Sequence, residues 1–102
     1  MSSLSEIYFH YDKAIKQAGQ METVAKKLRK AADSTVDDIL NDVNSAWKSD
    51  STPQYIKKVQ KVEGDILITT GNLDNIAQAV RTIAQRIKEA ELEAWRIANA
   101  RN

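Results

Sequence analysis

Apolar residues return every seven positions through almost the whole chain, and that period leaves few folds open. In the first half one register runs Leu4, Tyr11, Ala18, Ala25, Ala32, Ile39 and Ala46. A second runs Ile7, Ala14, Met21, Leu28 and Thr35, fails at Asp42, and passes to Val43. Between the two lie Lys13, Lys16, Lys26, Lys27, Arg29 and Lys30, with Asp12, Glu22, Asp33 and Asp37. Alternating steps of three and four residues keep one apolar stripe in line along an α-helix, so this half reads as one long helix.

The second half repeats the pattern with larger side chains. One register holds Val59, Ile66, Leu73, Val80, Ile87 and Ala94, the other Tyr55, Val62, Thr69, Ile76, Ile83, Ala90 and Ile97, and no charge falls in either. The period stops at Trp47-Lys48-Ser49-Asp50-Ser51-Thr52-Pro53, where turn formers gather. Thr52 reads as an N-cap, with Pro53 in the first helical position, where its missing N–H costs nothing. Ser34 and Asp37 stand at a capping spacing too, but the stripe passes from Ala32 to Ile39 in phase, so one helix is expected there.

The fold expected is all-α: one domain over 1–102, a first helix at about 4–47, a turn at about 48–52 and a second helix at about 53–99. Rods of that length are roughly 65–70 Å at ~1.5 Å per residue, and so short a turn folds them back antiparallel. Two such helices hide one stripe each, and Ile15, Val24, Val36, Ile56, Ile68, Leu92 and Trp95 widen it beyond that. Ala18, Ala25 and Ala32 are expected to face larger Ile, Leu and Val across the hairpin. The predicted core of hairpin and dimer is Leu28, Ile39, Val59, Ile66, Leu73, Ile76, Val80 and Ile83, a second hairpin completing a four-helix bundle.

Composition narrows the chemistry. Lys and Arg total 15 against 14 Asp and Glu, a net charge of +1, which argues against a nucleic-acid binder that depends on phosphate contacts. There is no Cys and a single His, so thiol nucleophiles and Cys-ligated metals are excluded and no catalytic, cofactor-binding or metal-ligating set is legible. The expectation is a non-enzymatic protein without cofactors. The opening MSSLSEIYFHYDK has no basic start and no long apolar run, and Ile66-Leu67-Ile68 is far too short to cross a bilayer. Synthesis in the cytoplasm is expected, with any exit by a route that does not read a Sec signal.

Smaller features have plain readings. His10 reads as a surface or partly packed side chain, and Tyr8 and Asp12 as neighbours one helical turn apart. Gly64 and Gly71 read as tolerated helix glycines, or as sites of close contact with a partner. The basic runs Lys26, Lys27, Arg29, Lys30 and Lys57, Lys58, Lys61 are expected at similar distances from the turn, as a solvated face or an anionic-partner site. Acids nearly equal bases along the helices, so membrane insertion is not expected.

Trp47, a large aromatic beside a mid-chain turn, reads as a plug at the end of a bundle. With the two long heptad helices and a length near a hundred residues, it makes the chain resemble the WXG family, the Esx-like (ESAT-type) proteins of type VII secretion. The resemblance spans essentially the whole chain. Trp47 matches the family Trp and Tyr55 an aromatic near the start of the second helix, while Ser49 replaces the Gly of Trp-any-Gly. No Tyr follows Tyr55, but the looser C-terminal export pattern can be laid on Ile87, Glu91, Ala94 and Ala98, with Trp95 beside it.

The resemblance implies a small secreted protein acting by protein–protein binding as a dimer, in virulence or interbacterial competition. Its partner would be a second copy, another WXG-like chain or the helical N-terminal region of a toxin, with the secretion ATPase a further partner. Two other readings stand beside it: a targeting chaperone for a larger type VII-secreted toxin, and a coiled-coil scaffold unrelated to secretion. If Trp47 plugs a bundle, Trp47→Ala lowers the melting temperature of the dimer; an unchanged melting curve removes that role.

Overall fold

The computed structural model describes residues 3–46 and 50–100, apart from the side chains of Asn44 and Ala46. Helix α1 spans Leu4–Ala46 and helix α2 spans Thr52–Ala100, with no strand among the described residues. The two pack as a helical hairpin. Tyr11 meets Lys88 and Glu22 meets Arg81, so numbers fall along α2 as they rise along α1, the mark of an antiparallel pair. Helix α1 runs unbroken through Asp33, Ser34 and Thr35, as the in-phase stripe requires. Trp47 and Ser49, with Lys48 between them, lie outside the described residues.

A serine side chain caps the start of α1. Ser3 Oγ accepts the Glu6 amide at 3.3 Å and donates to the Glu6 carboxylate at 3.2 Å, while the Ser3 carbonyl accepts the Ile7 amide at 3.1 Å. This is a variant of the Ser-x-x-Glu capping box, and it satisfies donors the first turn cannot satisfy itself. At α2 the Tyr55 amide bonds the Ser51 carbonyl at 3.1 Å, so Ser51 is the cap residue, Thr52 opens the helix and Pro53 is second. The expected cap at Thr52 is one residue late. Pro53 still loses nothing, because none of the first amides of a helix has an intrahelical partner.

The chain divides into a turn-side unit, Thr23–Leu73, and an open-end unit made of Met1–Glu22 and Asp74–Asn102. In the turn-side unit the buried residues are Ala25, Ala32, Val36 and Val43 on α1 and Thr70 on α2; in the open-end unit they are Ile7 and Ala18 on α1 and Ala77 and Ala84 on α2. The inner surface is therefore mostly alanine.

Within the single chain the residues expected in the hairpin and dimer core fall into two groups. The α2 register Tyr55, Val62, Thr69, Ile76, Ile83, Ala90 and Ile97 is exposed at every member, and the innermost positions are one residue further on, at Thr70, Ala77 and Ala84. Leu28, Ile76 and Ile83 are exposed, while Ile39, Val59, Ile66, Leu73 and Val80 are half-buried. On α2 the inner register is small and the large aliphatics take the flanks, whereas α1 buries Ile7, Val36 and Val43 beside its alanines. Ala18, Ala25 and Ala32 lie in an inner layer whose buried α2 members are small, and Ala32 also shares a groove with Val59 and Ile66.

Thr70 is fully buried and fully used: its hydroxyl donates to the Leu67 carbonyl at 3.0 Å and accepts from Arg29 Nε at 3.0 Å. Gly64 and Gly71 have ordinary helical φ, and a Cβ built at either meets nothing within 4 Å. Neither is needed for close approach inside the hairpin. Gly64→Ala and Gly71→Ala should each raise the unfolding free energy by about 0.5–1 kcal/mol in urea titrations, from helix propensity alone. A loss at either position would mark that glycine as a contact for something outside the hairpin.

Candidate functional site

An open groove runs between the helices in the turn-side unit, with a volume of about 590 Å³. Its inner residues are the buried Ala32, Val36 and Thr70; its flanks are Leu28, Thr35 and Ile39 on α1 and Val59, Val62, Ile66 and Thr69 on α2. Asp65 is the one charged residue that lines it. The groove follows from the alanine seam: a close approach with small residues inside leaves the flanking aliphatics splayed, with Leu28 45% and Val62 57% exposed.

In the open-end unit the same two α2 registers continue as a row of isoleucines. Ile76 is 51% exposed, Ile83 54%, Ile87 53% and Ile97 48%. A smaller cavity of about 160 Å³ lies nearby, lined by Ile7, His10, Ala14, Ala84, Ile87 and Glu91 among others. Single exposed aliphatics are ordinary on a protein surface, but a run of them at helical spacing marks a contact surface.

Polar ties hold the other flank of this unit. Both terminal guanidinium nitrogens of Arg81 donate to the Glu22 carboxylate, Nη1 to Oε2 at 2.7 Å and Nη2 to Oε1, a two-pronged pair that joins α1 to α2. Lys88 Nζ sits 4.0 Å from the centre of the Tyr11 ring. The hydrogen bonds from Arg81 hold the Glu22 carboxyl below its usual value of 4.5, against a smaller opposing effect of burial, and its positive charge adds to the lowering. Among the described residues no group of three or more His, Asp or Glu is placed to hold a metal ion, and no helix is long and apolar enough to cross a membrane.

The residues singled out from the sequence are dispersed. Tyr55 stands in the first turn of α2, 39% exposed. Of the export pattern, Ile87 and Ala94 are exposed, while Glu91 and Ala98 are half-buried in the inward register of Ala77 and Ala84, and Trp95 is half-buried too. His10 is exposed, its ring edge-on to Phe9 with centroids 5.6 Å apart. The two basic runs are not level with each other. Arg29 bonds Thr70, so Lys26, Lys27 and Lys30 lie opposite the region around residue 70, well above Lys57, Lys58 and Lys61.

The groove itself escaped the sequence reading. Its signal was the alanine content of the inner α1 register, which implies small residues opposite and large ones outside. Comparison with protein-family models, curated proteins and solved structures returns no match.

A depressed carboxyl pKa stabilises the fold above the unfolded carboxylate value, and that contribution is lost as pH falls through the folded value. Glu22→Gln should therefore lower the melting temperature at pH ~7 and leave it near the parent's at pH ~3. Equal melting at both pH values would show that the Glu22–Arg81 pair adds nothing to the fold.

Proposed function

We propose that this chain is a non-enzymatic binding protein of the WXG type, working with a type VII secretion system through a helix-bundle dimer. The observation that carries the reading is the exposed aliphatic groove between two long antiparallel helices, a surface that another helical hairpin can fill. The place of Trp47 in the sequence, between the two helices, agrees with it. The near-neutral charge fits a protein partner better than a nucleic acid or an anionic lipid surface.

A second reading, a targeting chaperone for a larger secreted toxin, draws on two departures. Ser49 stands where the family has Gly, and two members of the C-terminal pattern, Glu91 and Ala98, are turned inward. Such a chain would present a joint signal only with its cargo.

The test is the fate of an epitope-tagged chain in its own host, with and without the secretion ATPase, beside a cytosolic lysis marker. Appearance in the medium only when the ATPase is present supports the secreted reading. Retention in both strains removes it, and pull-down then separates a chaperone from a scaffold.

A further inference from the structure

We infer that the cavity of about 160 Å³ in the open-end unit binds a small zwitterion, a free branched aliphatic α-amino acid about the size of valine. The site lies wholly within that unit and depends neither on the groove nor on the secretion reading.

The first argument is the convergence of unlike groups. The apolar lining includes Ile7, 2% exposed, and Ala84, 9% exposed. Beside it α1 contributes the imidazole of His10, and α2 contributes the ammonium of Lys88 and the carboxylate of Glu91. A concave apolar surface with a few convergent polar groups is the ordinary form of a small-molecule site.

The second is charge. Lys88 and Glu91 stand three residues apart on α2, a spacing at which opposite charges ordinarily pair. Lys88 Nζ instead lies 4.0 Å from the centre of the Tyr11 ring, on the other helix. Glu91 is half-buried, and among the described residues no ion pair engages it. A carboxylate drawn out of water without a partner is costly, so it favours a ligand that brings a cation. The Lys88 ammonium carries three donors and the ring face is a single contact, which leaves it able to receive an anion. An ammonium and a carboxylate on one carbon, the head of an α-amino acid, answer both groups at once.

The third is size. A cavity of ~150 Å³ holds a benzene-sized body. The aliphatic side chain and α-carbon of valine are of that order, whereas phenylalanine with its charged head exceeds it. His10 and Ile87 are exposed at the edge of the cavity, so the charged head keeps contact with solvent.

The test is titration of the isotope-labelled chain with L-valine, followed by its amide NMR shifts. Saturable shifts around Ile7, His10, Ala84 and Glu91 are expected, with a dissociation constant on the order of 1 mM for so small a ligand. Glycine lacks the side chain, N-acetyl-L-valine the ammonium and L-valinamide the carboxylate, and each should bind about fivefold or more weakly than valine. Glu91→Gln should weaken valine about tenfold, with circular dichroism unchanged because no ion pair inside the hairpin is lost. The three analogues probe the site on the unaltered chain, whatever the variant does to folding. No saturable shift up to about 50 mM valine, or shifts confined to other residues, overturns the inference. So does any of the three analogues binding as tightly as valine; for valinamide, that result would assign the cavity to the N-terminal residue of a peptide. Ile87 and Glu91 also belong to the export pattern, but binding by the purified chain is independent of export. A chain that binds valine and stays in the cell keeps this site and loses the secretion reading; an exported chain indifferent to valine does the reverse.

Discussion

Where Ala18, Ala25 and Ala32 of α1 and Thr70, Ala77 and Ala84 of α2 turn inward, no side chain is long enough to hold two backbones apart. Along that seam the helices meet through small side chains, and the larger aliphatics that stay buried, Ile7, Val36 and Val43, are all on α1. An alanine interface buries little apolar area per residue, at about 25 cal/mol for each Å², so the hairpin gains less from its core than its count of Ile, Leu and Val suggests. Alanines also make a poor ruler, since a seam of near-identical small residues can slide by one heptad with little change in packing. The ties from α1 to α2 supply the missing register: Arg29 to the buried Thr70, Glu22 to Arg81, and Lys88 over Tyr11. Each joins unlike groups at a single level, which a slipped hairpin would lose.

The helices and the break between them were legible because a seven-residue period admits few alternatives. Which stripe faces inward was not. On α2 the registers at Ile76 and Ala77 differ by one residue, about 100° of rotation, and both are free of charge over their central turns. Naming the bulkier one as core of hairpin and dimer together leaves open which of its members the single chain buries. The first helix carried the contrary signal, since an alanine register asks for small residues opposite, and Thr70, Ala77 and Ala84 are the small set.

Other departures have local causes. The α2 cap moved from Thr52 to Ser51 because either hydroxyl residue can precede Pro53, and the chain places the proline second. The capping role of Ser3 lay in the Ser-x-x-Glu spacing at the start of α1, a signal weighed only at Ser34. The two lysine runs fell at different levels because the rungs of the ladder are set by pairs such as Arg29 and Thr70, about which the positions of charges say nothing.

What the hairpin leaves outside then determines what it can do. Leu28, Val62, Ile76, Ile83 and Ile87 are each about half exposed, and covering that half regains on the order of 1 kcal/mol per side chain. Covering all five regains roughly 5 kcal/mol, near the low end of the ~4–15 kcal/mol that association costs in lost translational and rotational freedom. Burial alone therefore brings the surface to the threshold of pairing without choosing among helical partners, any of which could offer aliphatics. The choice passes to the groups around the stripe, where one wrong pairing sets like charges together on both sides of a symmetric interface.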